Sequence, residues 1–151
     1  MNEIISKNCE RLFIFKYLLT DNFRNIYGKY HFKEQLSPDA PLVFLGRIDP
    51  IKGAHIAIHV AQQTGNSLII AGNVIPQFQD YFDQSIKTHL SANIRYIGPV
   101  DNAQENELFS NSKAFIFPLQ WQEPFGIPVI EFMACGTSVL AFSYNFMPEL
   151  I

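Results

Sequence analysis

The sequence predicts an α/β fold, a doubly wound parallel sheet of about five strands in the order 3-2-1-4-5. Three observations lead there. Short, unbroken apolar runs recur from Pro41 onward, each of strand length. Helix-length stretches separate them. The first three runs end at a glycine: Gly46, Gly72 and Gly98. Unbroken apolar runs suit strands buried on both faces, and strands alternating with helices imply right-handed βαβ units.

Taken in order, residues 1–24 carry Ile5, Cys9, Leu12 and Leu19, with Phe13 and Phe15 beside them, and read as a helix. Its aromatic content suits packing on the domain or a surface for a partner. Tyr27 to Pro41 contains Gly28, Pro38 and Asp39 and reads as a linker. The chain therefore divides into an N-terminal helix and linker (1–40) and a sheet domain (41–151).

In that domain, Leu42-Val43-Phe44-Leu45 is the first strand, followed by a helix from about Lys52 to Thr64, closed by Gly65. Leu68 to Ala71 is the second strand, and Gln77 to Leu90 a polar surface helix. Ile94 to Ile97 is the third strand, and Asn102 to Asn111 a helix with Asp101 or Asn102 as its N-cap. Ala114 to Phe117 is the fourth strand. A short helix from about Ile127 to Cys135 and a fifth strand, Val139 to Phe142, complete the set.

The chain has 151 residues, 48% of them apolar and 17% charged, which suits one globular domain rather than a disordered segment. A formal charge of −3 gives no electrostatic case for nucleic acid or for an anionic membrane surface. The two cysteines, Cys9 and Cys135, lack metal-ligand spacing, so neither a disulfide framework nor a zinc site is expected. Leu12 to Leu19 is interrupted by Lys16 and too short to cross a bilayer. Glu3 and Glu10 argue against a signal peptide. Together these point to the cytoplasm.

In the order 3-2-1-4-5 the switch point falls between the first and fourth strands, and ligands bind there beyond the carboxyl ends. The loops after Leu45 and Phe117 should therefore share one crevice. The first, Gly46-Arg47-Ile48-Asp49-Pro50-Ile51-Lys52-Gly53, supplies two cations. Arg offers a planar fork and Lys a point charge, a pairing suited to phosphates. The second supplies Glu123 and leads into a helix apolar on every side but for Glu131. Pro128 suits the first turn of that helix and Gly136 the left-handed residue after it. Glu131 is expected in the first turn, beside the positive end of the dipole. A buried carboxylate needs a partner, so the pair of acids reads as part of a ligand site. His31, His55, His59 and His89 lack the spacing of a metal site.

These motifs resemble the C-terminal, nucleotide-sugar-binding domain of retaining family-4 (group 1) glycosyltransferases of the GT-B fold. The pieces that match are F-L-G-R-I-D-P-I-K-G (44–53), E-P-F-G-I-P-V-I-E (123–131), F-M-A-C-G-T-S-V-L-A (132–141) and P-E-L-I (148–151). The resemblance implies a Rossmann-like half of a GT-B fold that binds a nucleoside-diphosphate sugar. By it, Arg47, Lys52 and Glu123 are the catalytic set. Arg47 and Lys52 would hold the diphosphate, and Glu123 would accept hydrogen bonds from sugar hydroxyls. Phe125, Gly126 and Ile127 would lay their amides against sugar and phosphate, and Glu131 would bond the ribose hydroxyls. Gly46 belongs to the same site, and Gly98 and Val100 would border the base.

The implied reaction replaces a nucleoside diphosphate at the anomeric carbon with retained configuration, without metal or cofactor. No Asp-x-Asp motif is present. Ser143 to Glu149 stands where the family has a glycine-rich or Arg-Gly turn, so no role is carried to Tyr144 or Phe146. The family's acceptor domain and the continuation past the Pro-Glu pair are missing, so the chain alone should be inactive. Its expected partners are a nucleotide sugar and an acceptor-domain chain or second copy docking through residues 1–24. The alternatives are a non-catalytic or split-enzyme subunit, another GT-B activity such as a sugar-nucleotide epimerase or a glycogen-phosphorylase-like enzyme, and a general Rossmann-like binding module.

Overall fold

The computed structural model describes residues 12–15, 36–120 and 127–142. Six strands form one sheet: β1 (Leu12–Phe15), β2 (Leu42–Leu45), β3 (Leu68–Ala71), β4 (Ile94–Gly98), β5 (Ala114–Phe117) and β6 (Ser138–Phe142). Their order is β1-β6-β5-β2-β3-β4. The five strands β2 to β6 are all parallel and realise the expected order 3-2-1-4-5.

Side chains alternate between the two faces, as strand geometry requires. Leu42, Phe44, Leu68, Ile70, Ala114 and Ile116 meet helix α1 (Ala54–Thr64) through Ala54, Ala57, Ile58 and Ala61. On the other face Val43, Phe115, Phe117, Val139 and Ala141 meet helices α2 (Asn102–Asn111) and α3 (Ile127–Ala134). Phe132 of α3 stacks face to face on Phe115, with centroids 4.0 Å apart, and tilts against Phe109 of α2 at 4.2 Å. The buried Thr137 hydroxyl donates to the carbonyl of Phe109 and ties the start of β6 to α2.

The helix expected over residues 1–24 is corrected at Leu12–Phe15, which forms a strand antiparallel to β6. Leu-Phe-Ile-Phe is four consecutive apolar residues, and such a run cannot be told from buried helix by periodicity. Aromatic and β-branched residues favour the strand, and β6 offers an unpaired edge. The rest of residues 1–24 lies outside the described residues.

The polar helix expected from Gln77 to Leu90 is an irregular one over residues 76–89. It passes from a 3₁₀ turn (Pro76–Phe78) through Gln79–Tyr81 into a π-type turn (Phe82–Ile86) and a last 3₁₀ turn (Lys87–His89). Residues five apart in an α-helix point about 140° from each other, whereas the wider π-type turn lets Tyr81 and Ile86 face the same core. Helix α2 is capped by Asp101, which accepts from the amides of Ala103 (3.0 Å) and Gln104 (2.9 Å), while the Gln104 side chain accepts from the Asp101 amide.

The glycines ending the first three parallel strands are joined by backbone alone. Gly46 N donates to Ala71 O at 3.0 Å, and Gly72 N to Gly98 O at 2.8 Å. A Cβ on Gly72 would lie 1.8 Å from the Gly46 carbonyl oxygen, and its φ of +148° also disfavours any side chain. Gly72→Ala should therefore lose about 1–3 kcal/mol from backbone conformation alone, and more from the collision. A denaturant midpoint equal to that of the wild type would contradict this packing.

Candidate functional site

Strands β2 and β5 meet at the switch point, where pairing runs only over Leu42–Ala114 and Val43–Phe115. The outer pairings, β2 with β3 and β5 with β6, continue through four residue pairs. The two central strands thus part toward their carboxyl ends, and the chain beyond each frames the opening.

The two loops then touch. Gln120 N, after β5, donates to Ile51 O, after β2, at 3.1 Å. Gly53 sits against Pro118, so that a Cβ there would come within 2.7 Å of the Pro118 carbonyl oxygen. Its φ of +77° is a left-handed conformation suited to glycine, and it turns the chain directly into α1. The crevice expected from strand order is therefore closed at its base by backbone contact.

Within residues 46–53, Arg47 projects with its side chain 49% exposed, and its Nε donates to Asp49 Oδ2 at 2.7 Å. Asp49 itself is completely buried. Its second oxygen, Oδ1, accepts from the backbone amide of Lys52 at 2.8 Å. Ile48, also fully buried, donates its amide to Asn73 O at 2.9 Å and fastens the loop to the end of β3. The Arg47 side chain and the Lys52 backbone amide are thus tied to one carboxylate, in the loop that follows β2.

A second contact that sequence reasoning missed comes from the irregular helix. The Tyr81 hydroxyl accepts from the backbone amide of His55, in the first turn of α1, at 3.3 Å, and lies 2.7 Å from His55 Nδ1. Which of the two groups donates in the second contact is set by the imidazole tautomer. Burial raises the Tyr81 phenol above its usual value, and the negative charge of Asp49 raises it further. Burial lowers the His55 imidazole below its ordinary value. No spacing rule finds a pair 26 residues apart; the fold alone brings them together.

The remaining expected site residues fall as follows. Gly46 follows β2 and bonds Ala71 O, while Gly98 ends β4 and accepts from Gly72 N. Val100 lies half-buried just before the Asp101 cap. Ile127 begins α3. Glu123, Phe125 and Gly126 lie outside the described residues. Glu131 is half-buried and is the fifth residue of α3, so the expectation that it sits in the first turn is corrected by one position. The helix opens at Ile127, with Pro128 second, and a first turn is complete before Glu131 is reached. Gly136, φ +77°, follows the helix as expected.

Cys135 carries a buried free thiol, pushed up to about 11 by burial. Among the described residues no cluster of three His, Cys, Asp or Glu could hold a metal ion, and no helix is long and apolar enough to cross a membrane.

The family model described as "Glycosyl transferases group 1" matches residues 28–151. Among curated proteins, the glycogen synthase of Mycobacterium tuberculosis (strain H37Rv) is 29% identical over 118 residues, 74% of this chain and 28% of that protein. The O-antigen chain mannosyltransferase B of Escherichia coli is 33% identical over 58 residues, 38% of this chain and 15% of that protein. Among solved structures, AviGT4, a glycosyltransferase involved in avilamycin A biosynthesis, superposes with a TM-score of 0.71 and 26% identity over 81% of this chain. The Anabaena protein HepE, solved with UDP and glucose, gives a TM-score of 0.64 at 23% identity over 88% of this chain. This chain spans 38% of the former structure and 36% of the latter.

Two predictions follow from these titrating groups. His55 has a folded pKa below its unfolded 6.5. Its contribution is therefore whole above that value and lost as pH falls through the lower folded one. Stability measured from pH 7.5 to 5 should decline, and His55→Gln should remove that component; an unchanged slope would contradict it. Cys135 should stay unmodified by iodoacetamide at pH 7.5 in the folded protein and react on unfolding, as read by mass spectrometry in a Cys9→Ser background.

Proposed function

Because this chain belongs to the glycosyl transferases group 1 family, we propose that it binds the donor of a glycosyl transfer, a nucleoside-diphosphate sugar, at the opening between β2 and β5. The observation that carries this reading is the joining of the two loops, through Gln120 N to Ile51 O and through Gly53 against Pro118. It brings the loop that carries Arg47 and Lys52 against the chain just after β5.

Arg47 and Lys52 grip the diphosphate, where a fork and a point charge together neutralise two phosphates. Glu131 accepts from the ribose hydroxyls. Glu123 takes sugar hydroxyls, and the amides of Phe125, Gly126 and Ile127 lie along sugar and phosphate. Gly46, Gly98 and Val100 frame the nucleoside mainly with backbone. The carbon–oxygen bond between the anomeric carbon and the diphosphate breaks, and the leaving diphosphate carries away the electron pair. An acceptor hydroxyl forms the new bond on the same face, giving up its proton to the departing diphosphate oxygen, with retained configuration. The contribution of these residues is positioning and the stabilisation of charge on the departing group, without a metal ion. The reaction takes place in the cytoplasm and draws its acceptor from outside the residues described.

Titration calorimetry with UDP, GDP and ADP tests this directly. At least one should bind the folded protein, and no heat from any of them at millimolar concentration would remove the reading. Lys52→Ala should weaken the diphosphate that binds by about 2–5 kcal/mol, the range for truncating one partner of a desolvated charge pair. An unchanged affinity would return Lys52 to the role of a surface cation.

A further inference from the structure

Asp49 is a fully buried carboxylate in a loop whose neighbouring Arg47 is half-exposed. Burying an ionised carboxylate is costly unless its oxygens are satisfied. Both oxygens are in use here, and by different parts of the same loop. Oδ2 accepts from Arg47 Nε at 2.7 Å, and Oδ1 accepts from the Lys52 amide at 2.8 Å. The loop backbone beneath is itself fastened, through Ile48 N to Asn73 O at 2.9 Å and Gln120 N to Ile51 O at 3.1 Å.

This arrangement has a directional consequence. A guanidinium that spends its Nε–H on a buried oxygen can still donate from its two Nη nitrogens, and the plane of its fork is then set by the carboxylate. A lysine whose backbone amide is bonded to the same carboxylate leaves the chain from a fixed Cα. One buried group therefore sets the origin of two long cationic side chains that would each lose much rotamer freedom on binding an anion.

Resting on the diphosphate reading of the loop, we propose that Asp49 is a positioning residue: its buried carboxylate aims the Arg47 fork and sets the base of Lys52 toward the diphosphate of the donor. It does not touch the ligand.

The test is a double-mutant cycle read by calorimetry with UDP, GDP and ADP and with inorganic pyrophosphate. Asp49→Asn keeps the shape and an acceptor for the Lys52 amide but removes the charge that holds Arg47. It should weaken the nucleoside diphosphate that binds, and pyrophosphate, about tenfold, equivalent to about 1.4 kcal/mol. In an Arg47→Ala background the same substitution should change affinity less than about twofold, because the group it acts through is gone. Equal losses in both backgrounds, or no loss in either, would overturn the proposal and leave Asp49 as a support of the turn. Should the wild type bind none of the three nucleotides, the donor-site reading itself falls, a different failure from a wild type that binds and an Asp49→Asn that binds equally well.

If Asp49→Asn does not fold, the wild type supplies the measurement. The Arg47 Nε–H resonance should be protected from exchange before and after the nucleotide is added, with the Nη signals alone moving. An Nε–H that exchanges at the solvent rate in both states would sink the idea.

Discussion

A single backbone hydrogen bond across the switch point, Gln120 N to Ile51 O, organises the end of the sheet that carries the candidate site. Parallel strands placed side by side by a reversal of winding direction tend to splay, because their connections run to opposite faces. Here β2 and β5 part after two residue pairs, and the loops beyond them bridge the gap. The bridge needs Gly53 at the point of contact, since a methyl group there would meet the Pro118 carbonyl. It also holds the helix α1 close, because Gly53 is the residue immediately before its first turn.

Charge is then laid onto this frame from within. A carboxylate at zero exposure is the least expected group in a loop of this kind, and it gives the half-exposed Arg47 a fixed partner. Tyr81 extends the same local network without a salt bridge, since its hydroxyl bonds the first turn of α1 and its phenol feels the charge of Asp49. The irregular turns of residues 76–89 serve this contact, for they carry Tyr81 and Ile86 to one side together. The site is thus supported by three separate parts of the chain, all on one end of the sheet.

Much of the fold was legible because its strands are buried on both faces and so appear as unbroken apolar runs ending at glycine. Leu42–Leu45, Leu68–Ala71 and Ala114–Phe117 match the expected spans, and Asn102–Asn111 is capped by Asp101, one of the two expected residues. The winding order followed from connection rules rather than from any one residue. Leu12–Phe15 was not legible, since four apolar residues in a row serve either helix or strand, and only the unpaired edge of β6 decides between them. Of the candidate site, the place of the loop that carries Arg47 and Lys52, after β2 at the switch point, could be read from strand order. Asp49 could not, because an acid before proline reads as an exposed turn; its spacing of three from Lys52, the reach of a side-chain-to-amide turn, was the available signal. The bond between Tyr81 and His55 depends on where two helices lie in space, and no local pattern encodes it.

The pairing of Leu12 with Phe142 joins segments 130 residues apart in sequence. During synthesis at about 5–20 residues per second, β1 leaves the ribosome and must wait on the order of ten seconds for its partner strand. Closure of such a long loop comes after the parallel units have formed, so the sheet is completed from its centre outward. In that interval the four apolar residues of β1 stand without the partner strand that completes their hydrogen bonding.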